Sequence, residues 1–178
     1  IGATAGRTTL NGEGLQHQDG HSHILANTIP NCKSYDATYA YELAVIIQDG
    51  LERMYGKKEN FFYYITTMNE NYNHPPIPEG VEQGIIAGVY KVDSTKLTKN
   101  KKKSINVNLM GAGTILHEVI AASKILADDY SITSDIWSLT SINELVRDGQ
   151  EIDRWNMLNP EKNKMMAYIE RILEDSNG

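Results

Sequence analysis

The run from Asn60 to Met68, NFFYYITTM, constrains this chain more than any other segment. Its aromatic and β-branched residues favour an extended backbone, and Phe61 to Tyr64 read as core. A strand that alternates apolar and polar residues can leave one face in water. A continuous apolar strand has to be buried on both faces, as strands of parallel sheets are. Parallel strands need crossover connections, usually helices, so this one run predicts an α/β fold. Directly after it, NENYNHPPIP sets three prolines among polar residues and turns the chain into an extended connection. His74 lies in that connection with nothing specific to mark it. In open α/β sheets, loops at the carboxyl ends of strands form the ligand face.

The rest of the chain fits an α/β pattern. Asp36 is expected to cap a helix in which Tyr39, Leu43, Ile46, Ile47, Leu51 and Met54 recur at three- and four-residue steps, with Gly56 as its stop. Past Gly80, Gly84, Gly88 and Tyr90 the composition shifts abruptly to TKLTKNKKKS, and a second strand–helix alternation begins. INVNLMGAG reads as a strand turning at Gly111 and Gly113 into a helix that shares Ile115, Val119, Ala122, Ile125 and Leu126 on one face. DIWSLTS reads as another strand. Ser141 with Glu144 forms a capping-box pattern for a helix carrying Ile142, Leu145, Val146, Ile152 and Trp155. Asn159-Pro160 ends that helix, and Glu161 to Leu173 reads as a last one. There is no internal repeat. The expectation is two α/β, parallel-sheet units: residues 1–92, a linker at 93–104, and residues 105–178.

Composition bounds what these units can do. With 178 residues, 40% hydrophobic and 22% charged, the chain is ordinary globular material, long enough to bury a core. The 17 Lys plus Arg against 23 Asp plus Glu leave a net charge of −6, which disfavours a nucleic-acid surface. The run Lys96 to Lys103 is a local exception and reads as a solvated interdomain loop. The single Cys32 excludes an intrachain disulfide framework and a cysteine-based zinc cluster, and suits a reducing compartment. No apolar run approaches the ~20 residues that span a bilayer, and no signal-peptide pattern opens the chain. A cytoplasmic protein without a membrane partner is expected. Because the chain opens at Ile1 on the Gly/Thr-rich IGATAGRTTLNGEG, it is expected to be a piece of something longer.

The densest chemistry lies in GEGLQHQDGHSH. His17, His21 and His23 stand there with Glu13 and Asp19, separated by glycines that let the backbone approach a ligand. His21 and His23 at an i, i+2 spacing, with His17, can form a metal-binding module. Glu13 and His17, four apart, can form an acid–base pair in which the carboxylate raises the imidazole's pKa. A Gly-rich surface loop with solvated histidines fits the same residues, so spacing alone leaves three alternatives. The GAG at 111–113 follows a strand and opens a helix. Leu116 stands where a dinucleotide fingerprint needs its third glycine, so a tight strand-to-helix turn is the expectation.

Four stretches, GRTTLNGEGLQHQDGHSH, IPNCKSYDATYAYELAVIIQDGLERMYG, YYITTMNENY and RDGQEIDRWNMLNP, resemble in order and spacing the homodimeric thiamine-diphosphate-dependent pyruvate dehydrogenases. These are the decarboxylating first components of bacterial pyruvate dehydrogenase complexes. The resemblance implies a transketolase-like architecture: the second half of a pyrimidine-binding middle domain, then the start of the C-terminal domain. It implies decarboxylation of pyruvate on thiamine diphosphate with Mg2+, reductive acetylation of the lipoyl domain of dihydrolipoyl acetyltransferase, and a homodimer with its active site between subunits.

By the same resemblance Glu13 and His17 are catalytic, His17 hydrogen-bonding or protonating the pyruvate-derived group and Glu13 orienting it. His21 and His23 are structural or channel-lining. The family's GDG-to-NN motif for metal and diphosphate is not in this sequence, nor is its cofactor-activating glutamate, so the chain alone is expected to be inactive. Asn159 stands where the family has histidine. Transketolase, or another 2-oxo-acid decarboxylase of that architecture, is the nearest alternative within the enzyme reading. A non-catalytic α/β interaction domain is the alternative outside it.

Overall fold

Two strand–helix–strand crossovers organise the computed structural model, which describes residues 19–68, 71–96, 105–174 and 176. The first is preceded by a short helix, α1 (Ser22–Asn27), and runs from β1 (Cys32–Asp36) through α2 (Ala40–Leu51) to β2 (Phe62–Thr66). Its strands are parallel, in register from Cys32 against Phe62 to Asp36 against Thr66. After α3 (Glu82–Ala87) and β3 (Val89–Ser94), the second runs from β4 (Asn106–Gly111) through α4 (Ile115–Ile125) to β5 (Thr133–Leu139). Here too the strands are parallel, from Asn106 against Thr133 to Gly111 against Ser138. Helices α5 (Ile142–Leu158) and α6 (Tyr168–Leu173) follow. The α/β expectation holds, and both crossovers join parallel strands.

β3 departs from the sequence reading. It pairs antiparallel with β5, Val89 opposite Leu139, with a register slip between Lys91 and Asp93. Residues 89–92, read with the first unit, and 93–94, read as linker, therefore lie in the second sheet, whose order is β3-β5-β4. Val89 and Tyr90 are buried and β5 offers them a free edge. Most of the lysine run, residues 97–103, lies outside the described residues.

β1 went unread in the sequence because it is polar: CKSYD. Its polar groups find partners instead of solvent. Lys33 pairs with Glu144. The Ser34 carbonyl accepts from Ser141 Oγ at 2.6 Å, and the Ser34 hydroxyl accepts from Asn143 Nδ2. Asp36 closes this strand and does not cap α2. Glu42 in the first turn supplies the cap, its Oε2 accepting the amides of Thr38 at 2.5 Å and Tyr39 at 3.0 Å. The next orphan amide, of Ala40, donates to His74 Nδ1 at 3.1 Å from the proline-rich connection.

The stripes differ from their sequence reading as well. α2 buries Glu42, Ile46 and Gly50, leaving Ile47 and Leu51 largely exposed. α4 buries Leu116 and Ser123, while Ile115 and Ile125 face outward. β2 is half-buried, because among the described residues it has β1 as its one neighbour. Phe61 is no core residue: Lys33 and Arg53 stand over its ring at 5.1 and 4.3 Å from the centroid. The Glu161–Leu173 segment is helical only in α6.

One interior serves both crossovers. Tyr35, Ala37, Ile46, Ile85 and Tyr90 form one cluster and Tyr39, Leu116 and Ile136 another, with Tyr41 and Val92 packed against both. Between them sits Glu42, fully buried. Its Oε1 accepts from Tyr90 Oη at 2.6 Å on β3 and from Ser138 Oγ at 2.7 Å on β5. Because Tyr90 gives its proton to Glu42, the Tyr41 hydroxyl donates to Tyr90 across 2.6 Å. Burial and the neighbouring Glu42 push the Tyr90 phenol far above its ordinary pKa, and burial pushes Tyr41 up to about 12. No helix among the described residues is long and apolar enough to cross a membrane.

Candidate functional site

The carboxyl ends of the parallel strands meet. The amide of Asp36, last residue of β1, donates to the Thr140 carbonyl just past β5 at 2.8 Å. Beyond β4 the chain turns at Gly113, whose φ of +54° suits glycine. A Cβ there would lie 3.0 Å from both Asp36 carboxylate oxygens. The GAG is therefore a tight strand-to-helix turn laid against a carboxylate, fastened by Thr38 Oγ1 donating to the Gly113 carbonyl at 2.9 Å. Between these ends opens a cavity of about 200 Å³ lined by His23, Asp36, Ala112, Leu139, Ser141 and Asn143, among others. A crevice at the carboxyl ends of parallel strands is where α/β sheets bind ligands.

His23 is held in the cavity wall by a relay. Its Nε2 lies 2.9 Å from Thr66 Oγ1, and Thr66 Oγ1 donates to Asp36 Oδ1 at 2.6 Å. A hydroxyl has one proton, so with that proton on the Asp36 bond, His23 Nε2 carries its own and donates to Thr66. The ring meets Tyr64 edge-on at 5.4 Å. The His23 carbonyl accepts from Asn143 Nδ2 of α5 at 2.7 Å.

Asp19 ties down the preceding residues, accepting from the Ser22 amide at 2.9 Å and from Tyr64 Oη at 3.1 Å. Burial alone would raise its carboxyl. The bonds from Ser22 and Tyr64 outweigh that and hold it below the usual carboxylate range.

Of the residues singled out in the sequence, Glu13 and His17 lie outside the described residues. His21 is exposed at the start of α1 and makes no side-chain cap. His23 reaches the cavity, with Nε2 engaged by Thr66 instead of open to a metal. Among the described residues no three His, Cys, Asp or Glu are grouped to hold a metal ion. Asn159 ends α5, its Nδ2 donating to the Trp155 carbonyl at 2.8 Å. Sequence reasoning missed Asp36, Thr66 and Asn143 as site residues. The available signal was position, since Asp36 and Thr66 are the last residues of paired parallel strands.

A second cavity of about 200 Å³ lies over the start of α2, lined by Tyr39, Met68, Tyr72 and His74 among others. His117 stands edge-on to Tyr72 at 4.4 Å, and its buried Nε2 has no hydrogen-bond partner among the described residues.

Comparison with known proteins covers almost the whole chain. The family described as pyruvate dehydrogenase E1 component middle domain matches residues 1–75, and the transketolase-like TK C-terminal domain matches residues 88–177. The pyruvate dehydrogenase E1 component of Escherichia coli K12 is 57% identical over 177 residues, 99% of this chain and 19% of that protein. That of Pseudomonas aeruginosa is 54% identical over 178 residues, 100% of this chain and 20% of that protein. The chain thus spans about a fifth of the length of the curated relatives it matches. Among solved structures, a Pichia stipitis transketolase variant superposes with a TM-score of 0.57 at 16% identity, covering 84% of this chain and 20% of that one. At that identity the likeness is one of fold.

Proposed function

Since the chain belongs to the pyruvate dehydrogenase E1 component family, with a transketolase-like C-terminal segment, we propose that it serves an enzyme that decarboxylates pyruvate on thiamine diphosphate. The same enzyme would pass the acetyl group reductively to the lipoyl domain of dihydrolipoyl acetyltransferase and act as a homodimer. The observation that carries the reading is the cavity at the joined strand ends, with His23 in its wall six residues after His17. Its supports are the family match and a polar site that both crossovers build.

The residues present do not fit the cofactor's Mg2+-diphosphate end. The sequence has no GDG-to-NN motif, and the described residues include no metal-holding group. This chain's part is toward the substrate: His17 hydrogen-bonds or protonates the pyruvate-derived carboxylate or hydroxyl, Glu13 orients His17, and His21 and His23 line the approach. Substituting His17→Ala in the full-length enzyme is expected to lower pyruvate turnover and lipoyl acetylation about 10²- to 10⁴-fold, the usual worth of a general acid. Unchanged turnover overturns the role of His17. In the same assay the 178-residue chain alone is expected to show no turnover.

A further inference from the structure

The relay ending in Asp36 has no counterpart at the strand ends of the second crossover, and its chemistry is directional. Thr66 Oγ1, on the last residue of β2, sits between a ring nitrogen at 2.9 Å and a carboxylate oxygen at 2.6 Å. The carboxylate can only accept, so the hydroxyl must donate to it and accept from His23 Nε2–H. The order of donors thereby selects one tautomer of His23, as a carboxylate does for a catalytic histidine elsewhere.

The surroundings leave the relay little room to rearrange. Thr66 is 6% exposed, and Gly113 backs Asp36 where any side chain would crowd the carboxylate. Asn143 holds the His23 main chain, and Tyr64 braces the ring. This much order around one imidazole facing a cavity exceeds what a solvated loop histidine needs.

We propose that Thr66 and Asp36 are positioning residues, holding His23 as the Nε2–H tautomer with its ring fixed in the wall of the cavity where substrate is handled. The inference rests on the functional reading above, deepening the role of that site. Neither residue needs to touch substrate. Their effect passes through His23, and a misplaced group at a reacting centre costs up to about 10²-fold in rate.

The test is made in the full-length holoenzyme with pyruvate. Thr66→Val keeps the shape and removes the hydroxyl, and is expected to lower kcat about tenfold or more with little change in KM. Thr66→Ser, which restores the hydroxyl, is expected to recover most of kcat. In Asp36→Asn the amide can donate to Thr66, releasing the hydroxyl proton toward His23 or toward the Tyr35 carbonyl at 3.3 Å, so the tautomer of His23 is no longer imposed. A loss of kcat comparable to that of Thr66→Val is expected, with the thermal midpoint close to that of the parent.

Wild-type kcat in both Thr66→Val and Asp36→Asn, while His17→Ala is impaired, overturns the relay and leaves the wider reading standing. Wild-type turnover in His17→Ala strikes the wider reading instead. If Thr66→Val fails to fold, Asp36→Asn and Thr66→Ser decide: unimpaired Asp36→Asn overturns the relay, and impaired Asp36→Asn beside active Thr66→Ser supports it.

Discussion

The β1–α2–β2 and β4–α4–β5 crossovers share a topology and differ at the ends that face the cavity. The first finishes its strands in Asp36 and Thr66, groups that can hold a proton or pass one along. The second leads from β4 through Gly111, Ala112 and Gly113, which carry no polar side chain, and past β5 the Thr140 and Ser141 hydroxyls are spent on the Ile85 and Ser34 carbonyls. The difference teaches a division of labour. One crossover brings chemistry, and the other brings small residues that let its backbone close over that chemistry. Neither end makes sense alone: Asp36 needs Gly113 for room, and the GAG turn needs Thr38 to fasten it.

The strongest way to break the pair apart is at Glu42, whose carboxylate takes four donors from both crossovers and β3. Glu42→Ala strands those donors in the interior and is expected to cost on the order of 3–5 kcal/mol, read from the urea unfolding midpoint. Glu42→Gln should cost less, since its amide oxygen still accepts. A loss below about 1 kcal/mol for Glu42→Ala would mean that the two halves are not joined there.

Gly113→Ala sharpens the comparison at the cavity. The left-handed backbone costs about 1–2 kcal/mol with a side chain, and the new Cβ must displace the Asp36 carboxylate. Stability and kcat should therefore fall together. Gly149→Ala, within α5 and with open space around it, is the control and should stabilise by about 0.5–1 kcal/mol.

A smaller loss than at Glu42 is expected at Ser141, which accepts the Glu144 amide at 3.1 Å to cap α5 and donates to the Ser34 carbonyl of β1. Ser141→Ala should cost about 1 kcal/mol by thermal melting. A neutral result would show that the α5 cap does not couple the crossovers.

The parallel α/β character was legible in the aromatic run at residue 60, and the start of α5 in Ser141 and Glu144, because those signals are local. β1 was not legible. Its Lys33 and Ser34 are satisfied by Glu144, Ser141 and Asn143, more than a hundred residues away. The helix stripes misled for a related reason. The buried face of α2 includes Glu42, fit for the interior only because Tyr90 and Ser138 await it there, and Gly50, which seats the Tyr63 ring. Of the site, the His-rich segment was visible as composition, and His23 reaches the cavity from α1, a helix its Gly- and His-rich sequence does not announce. Asp36 and Thr66 look like ordinary cap and strand residues until the register of β1 and β2 sets them side by side.

Cys32 opens β1 opposite Phe62, with 2% of its surface exposed and its carbonyl taken by Arg147 at 2.7 Å. Burial pushes its thiol above the ordinary range, so the reactive thiolate is scarce while the strand stays seated. As the chain's one cysteine, it makes alkylation a clock: the rate at which reagent consumes the thiol counts how often the first crossover breathes open.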